Sequence, residues 1–186
     1  MATSEKELRT YGEIRAVGEG RKVVGYAAVF DRESEDLGGF VEYIAHGAFD
    51  GVVEKSDVLA LLNHDERRGL LARAKKGEGT LKLTIDDKGL RYEFDAPKTE
   101  LGDELLEGLL RGDITASSFA FSVEIDEWTD NGRYKPMTRT IKKLRSLYDV
   151  SPVYRPAYPD TSVALSRRAA CQDMAAYYAG LLSQIQ

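Results

Sequence analysis

Strand-length segments divided by turn signals run through most of this chain, and that pattern restricts it to β-rich folds. Glu13 to Val17 and Lys22 to Phe30 flank the turn Gly18-Glu19-Gly20 and read as a hairpin. Phe40 to Ile44 reads as a short strand, and Gly47 to Glu54 as a short helix. The apolar run Val58 to Leu62 is too short for a helix and reads as a strand buried on both faces. Leu70 to Lys75, Gly79 to Asp86 and Gly89 to Asp95 follow as a meander, with strict alternation over Thr80 to Ile85. Ser117 to Trp128 and Thr138 to Leu147, the latter running on to Tyr154, flank the turn Asp130-Asn131-Gly132.

The period changes to that of a helix over Glu100 to Arg111. There Leu101, Leu105 and Leu109, with Leu106 and Leu110, make an apolar stripe between a capping Thr99 and a terminating Gly112. So many strands would leave exposed edges in an open sheet. The expectation is therefore a β-rich α+β fold, a closed or nearly closed antiparallel barrel with a few flanking helices. One domain is expected over residues 1–166, followed by a helical segment, 167–186, read as a tether or docking element.

The composition narrows function further. Of 186 residues, 42% are apolar and 31% charged, the balance of a folded globular chain. No apolar run approaches the roughly 20 residues of a membrane span, and the start carries no secretory pattern. A net charge of −5 argues against nucleic acid as a partner. Lys142, Lys143 and Arg145 alternate with apolar positions and read as the wet face of a strand. The single cysteine, Cys171, excludes an internal disulfide and a multi-cysteine zinc site and reads as a packed or surface thiol.

Chemistry near neutral pH has few candidates. The two histidines are His46 and His64, and His64 stands where an apolar strand meets the polar turn Asn63-His64-Asp65, a rigid mount with access to solvent. In the extended segment around Ser118, the residues Ala116, Ser118, Ala120 and Ser122 share one face, and Ser117, Phe119, Phe121 and Val123 the other. Ser118 thus faces small neighbours, which leave room in front of its hydroxyl. No Gly-x-Ser-x-Gly elbow is present.

Three segments in order, Leu61-Leu62-Asn63-His64-Asp65, then Arg111 to Phe121, then Leu147 to Tyr158, resemble the prohead serine protease family of tailed phages. Gly25 to Phe30 and Gly47-Ala48-Phe49 extend the likeness, which runs from about Gly25 to about Ala164. The resemblance implies a fold related to the herpesvirus assembly proteases, His64 as base and Ser118 as nucleophile. Here Ala116-Ser117 and Ala120 stand where Gly-Met and Gly are common in the family, so Ser117 is the alternative register.

For the group that orients the base, the resemblance points to Asp149, with His46 and Asp65 as alternatives. Arg155 is a candidate for shaping the loop behind that strand. The family implies a serine endopeptidase that needs no metal or cofactor. Its substrates would be the major capsid protein and scaffold, and itself, inside an assembling procapsid in the host cytoplasm. A dimer or larger oligomer is expected, without membrane. The competing reading keeps the β-barrel as a non-catalytic module that binds capsid or scaffold.

Overall fold

A computed structural model describes residues 5–11, 14–17 and 20–154. The strands are β1 (Glu7–Tyr11), β2 (Ile14–Val17), β3 (Lys22–Val29), β4 (Phe40–Ile44), β5 (Asp57–Ala60), β6 (Ala72–Lys75), β7 (Glu78–Gly79), β8 (Lys82–Ile85) and β9 (Gly89–Asp95). Helix α1 (Glu100–Arg111) separates them from β10 (Ala116–Thr129) and β11 (Met137–Val153), and a 3-10 turn spans Glu66–Arg68.

The strands make two sheets, neither closed on itself, so the expected closed antiparallel barrel is corrected. One sheet runs β1-β10-β11-β5-β6-β7, with β4 also on β11, and the other runs β2-β3-β9-β8. Nor are the pairings all antiparallel, because β11 lies parallel to β4 along Met137 to Ile141 and parallel to β5 at Asp149 and Val150. Closure was inferred from the need to protect edges, but short edge strands meet that need: β7 has two residues and β2 and β8 four each. Nor do a few helices flank the sheets: α1 is the one α-helix among the described residues.

The two sheets enclose one core. Phe119 and Phe121 stack at 4.6 Å between centroids, and Phe49 closes on Phe119 at 6.0 Å. From the second sheet, Val23, Leu90, Tyr92 and Phe94 meet them fully or nearly buried. Gly25 permits this packing, since a Cβ there would stand 2.6 Å from the Tyr92 ring. Tyr92 in turn reaches β10, its hydroxyl 2.6 Å from Ser117 Oγ.

Local signals set several elements at their observed ends. Thr99 Oγ1 accepts from the Gly102 N–H at 3.3 Å, and Gly112 ends α1 at φ 78° with its N–H on the last turn. Leu101 and Leu105 are buried as expected, whereas Leu110 is exposed. The helix expected over Gly47 to Glu54 is instead a series of tight turns, because Gly47 and Gly51 take positive φ of 84° and 65°. The strand expected over Gly79 to Asp86 is broken: β7 pairs with β6, β8 pairs with β9, and the chain changes sheets between them. Lys142 and Arg145 are exposed, and Lys142 and Lys143 pair with Glu127 and Glu124 on β10. Cys171, Arg155 and the segment 167–186 lie outside the described residues.

Candidate active site

The β10–β11 hairpin supplies two of the three groups. Ser118 pairs with Ser151 across the ladder, and Asp149 pairs with Ala120, so Ser118 and Asp149 project from the same face two positions apart. That face looks away from the Phe119–Phe121 core. Ser117 projects the other way to Tyr92. Burial pushes the Tyr92 phenol well above its usual range, so it stays neutral and the Ser117–Tyr92 bond is a structural one. Of the two serines, Ser118 faces His64 and Ser117 does not.

His64 arrives from the chain leaving β5. Leu61 N–H bonds the Val150 carbonyl at 3.4 Å and Asn63 N–H the Pro152 carbonyl at 3.0 Å, which prolongs the parallel pairing with β11. The backbone then turns sharply, with φ 55° at Asn63 and 58° at His64. Asn and His are among the side chains that best tolerate this left-handed conformation, which explains the pair physically. Asn63 Oδ1 also accepts from the Tyr154 N–H at 3.2 Å, tying the turn to the end of β11. Beyond it, Arg68 and the Tyr154 hydroxyl both bond Glu104 of α1, and these bonds hold the Glu104 carboxyl below its usual range. The helix thus braces the loop that carries the histidine.

The three side chains form a continuous chain of contacts. His64 Nδ1 lies 2.5 Å from Asp149 Oδ1, and His64 Nε2 lies 2.6 Å from Ser118 Oγ. With the carboxylate as acceptor, Nδ1 carries the proton and the Nε2 lone pair faces the serine hydroxyl. Asp149 is 1% exposed, and Ser118 is fully buried. Such an arrangement polarises a hydroxyl and holds an imidazole in one tautomer and orientation.

The other candidates are placed elsewhere. His46 is largely exposed, 3.3 Å from Asp31 and packed on Phe30. Asp65 caps the 3-10 turn by accepting from Arg67 N–H at 3.1 Å, and the Arg67 guanidinium holds its carboxyl below the usual range. Sequence reasoning missed Ser151, whose Oγ donates to Asp149 Oδ1 at 2.8 Å and which is fully buried. Its spacing of two from Asp149 on a strand, which sets both on one face, was the available signal.

The chain matches the family described as caudovirus prohead serine protease over residues 10–176. Among solved structures it is similar to the bacteriophage T4 capsid assembly protease, with a TM-score of 0.53 and 12% identity, over 82% of this chain and 98% of that one. At that identity the likeness is one of fold. No curated protein matches the chain.

Proposed function

The chain belongs to the caudovirus prohead serine protease family, and on that premise we propose that Ser118, His64 and Asp149 are its catalytic triad. The reading rests on one observation, the hydrogen-bond chain from Ser118 Oγ through His64 to Asp149 at 2.6 and 2.5 Å. His64 Nε2 takes the hydroxyl proton as Oγ bonds to the carbonyl carbon of the scissile peptide. The tetrahedral intermediate collapses as the same nitrogen protonates the leaving amine, and an acyl-enzyme remains. Water then repeats the sequence, losing a proton to Nε2, and the free acid leaves with Ser118 restored. Asp149 stabilises the imidazolium formed in each half.

The substrates in this reading are segments of capsid and scaffold protein, with the chain itself as a further target. The work takes place inside the procapsid in the host cytoplasm, with the enzyme as a dimer or larger oligomer. A serine-directed fluorophosphonate tests the nucleophile, since displacement of fluoride by Oγ adds a phosphonyl group that mass spectrometry locates. The expected adduct is on Ser118 and not on Ser117. No adduct on native protein, together with uncut cognate capsid protein after co-expression, would favour a binding module without chemistry.

Ser151 is assigned a positioning role. Its hydroxyl holds Asp149 Oδ1 while that same oxygen receives His64 Nδ1–H. Ser151→Ala is expected to lower kcat about tenfold with KM little changed, the size of one lost charge-assisted hydrogen bond of about 1.5 kcal/mol. Ser151→Thr, which keeps the hydroxyl, recovers most of the rate in the same peptide assay. Equal rates for the Ala and Thr variants would remove the role.

A further inference from the structure

The edge of β10 that faces away from β11 is occupied by β1 over the very residues that include the nucleophile. Glu7 to Tyr11 pair antiparallel with Phe121 to Ser117, and Thr10 stands opposite Ser118. An extended peptide that presents a carbonyl to a serine on a strand does so most simply by joining that strand's free edge. Since β11 holds one edge of β10, the edge held by β1 is the one a substrate needs.

The contacts of β1 and its approach oppose catalysis at two points. Ser118 Oγ lies 2.9 Å from the Arg9 carbonyl oxygen, as well as 2.6 Å from His64 Nε2. A hydroxyl has one proton, so the carbonyl competes with the base for it. The carbonyl also turns its oxygen toward the nucleophile, where attack requires carbon. At the far end, Lys6 Nζ lies 3.5 Å from Asp149 Oδ2, which has no hydrogen-bond partner among the described residues. A cation there draws on the carboxylate that should stabilise the imidazolium.

A buried ion cluster fastens the strand. Arg9 bonds Glu42 of β4 through Nε at 2.6 Å and Nη2 at 2.8 Å, and Glu42 is fully buried. Burial opposes the charge on Arg9, but Glu42 and Glu7 more than offset it, so its pKa lies above the ordinary value. Arg139 of β11 also reaches Glu42, at 3.0 Å, so Glu42 keeps a partner if β1 departs. The span matched by the family begins at residue 10, which leaves most of β1 before it.

We propose that β1 is a cis-acting occupant of the substrate's strand position, latched by Arg9 on Glu42, and that an extended peptide substrate enters by replacing it on β10. This rests on Ser118 being the nucleophile. Apparent affinity for peptide is then reduced by the fraction of molecules with β1 displaced.

Two full-length variants move activity in opposite directions. Leu8 and Ala120 are direct cross-strand partners, a separation that a disulfide spans. In a Cys171→Ser background, Leu8→Cys with Ala120→Cys is expected to lose at least about tenfold in peptide cleavage and fluorophosphonate labelling on oxidation, and to regain both on reduction. Arg9→Met, which frees the strand and leaves Glu42 with Arg139, is expected to raise peptide cleavage about tenfold. Equal rates in oxidised and reduced forms with the adduct still on Ser118, or a fall in Arg9→Met, would overturn the proposal. Absence of any Ser118 adduct in either redox state would instead remove the triad on which it rests.

Discussion

Ser118→Ala is expected to lower turnover of a capsid-derived peptide about 10⁶-fold, the loss that removal of a triad nucleophile produces, or about 8 kcal/mol of transition-state stabilisation. Ser117→Ala is expected to leave turnover intact and to reduce stability instead. The two residues are adjacent but belong to different parts of the molecule. Ser118 Oγ faces His64 Nε2 on the outer side of the sheet, whereas Ser117 Oγ faces Tyr92 on the core side. Removing Ser117 Oγ leaves a buried Tyr92 hydroxyl without its partner, a cost of about 1–3 kcal/mol read in a denaturant unfolding curve. Peptide cleavage followed by mass spectrometry reads the other half of the contrast. Loss of turnover in Ser117→Ala with Ser118→Ala intact would reverse the assignment.

How much of this was legible beforehand depends on the range of the interactions involved. Helix α1 was readable to its end residues because its signals are local: a threonine that caps, a glycine that takes positive φ and leucines on one face. The face that Ser118 shares with Ala116, Ala120 and Ser122 followed from the period of two along its strand, whereas Asp149 came from the family resemblance. Which strands pair did not follow. The parallel contacts of β11 with β4 and β5 join segments far apart in sequence, and nothing in either segment announces its partner. Strand β1 was missed for a related reason, since Glu7-Leu8-Arg9-Thr10-Tyr11 has little apolar alternation and is held by Arg9 to Glu42, 33 residues away. Asn63-His64 is the opposite case. Their left-handed backbone is a local property of two residues suited to it, so the turn that aims the imidazole was written in the same dipeptide that suggested the base.

Asp149→Asn is expected to lower kcat about 10⁴-fold, or about 5 kcal/mol, through the tautomer of His64 as well as the lost charge. The carboxamide has two orientations, and its neighbours choose between them. One oxygen position faces His64 Nδ1 at 2.5 Å and Ser151 Oγ at 2.8 Å, and the other faces Lys6 Nζ at 3.5 Å. An amide nitrogen beside the ammonium would set donor against donor, so the oxygen takes the Lys6 side and the nitrogen turns to His64. Ser151 accommodates this by accepting instead of donating, because a hydroxyl does either. The imidazole must then accept at Nδ1 and carry its proton on Nε2, where it can no longer receive the proton of Ser118. Unlike truncation of Asp149, the change preserves volume at a buried site, and it removes a buried negative charge. Thermal stability is therefore expected to hold or rise while turnover collapses, a separation that kcat and an unfolding curve on the same preparation measure directly. A variant that keeps its rate would place the orienting group elsewhere than Asp149.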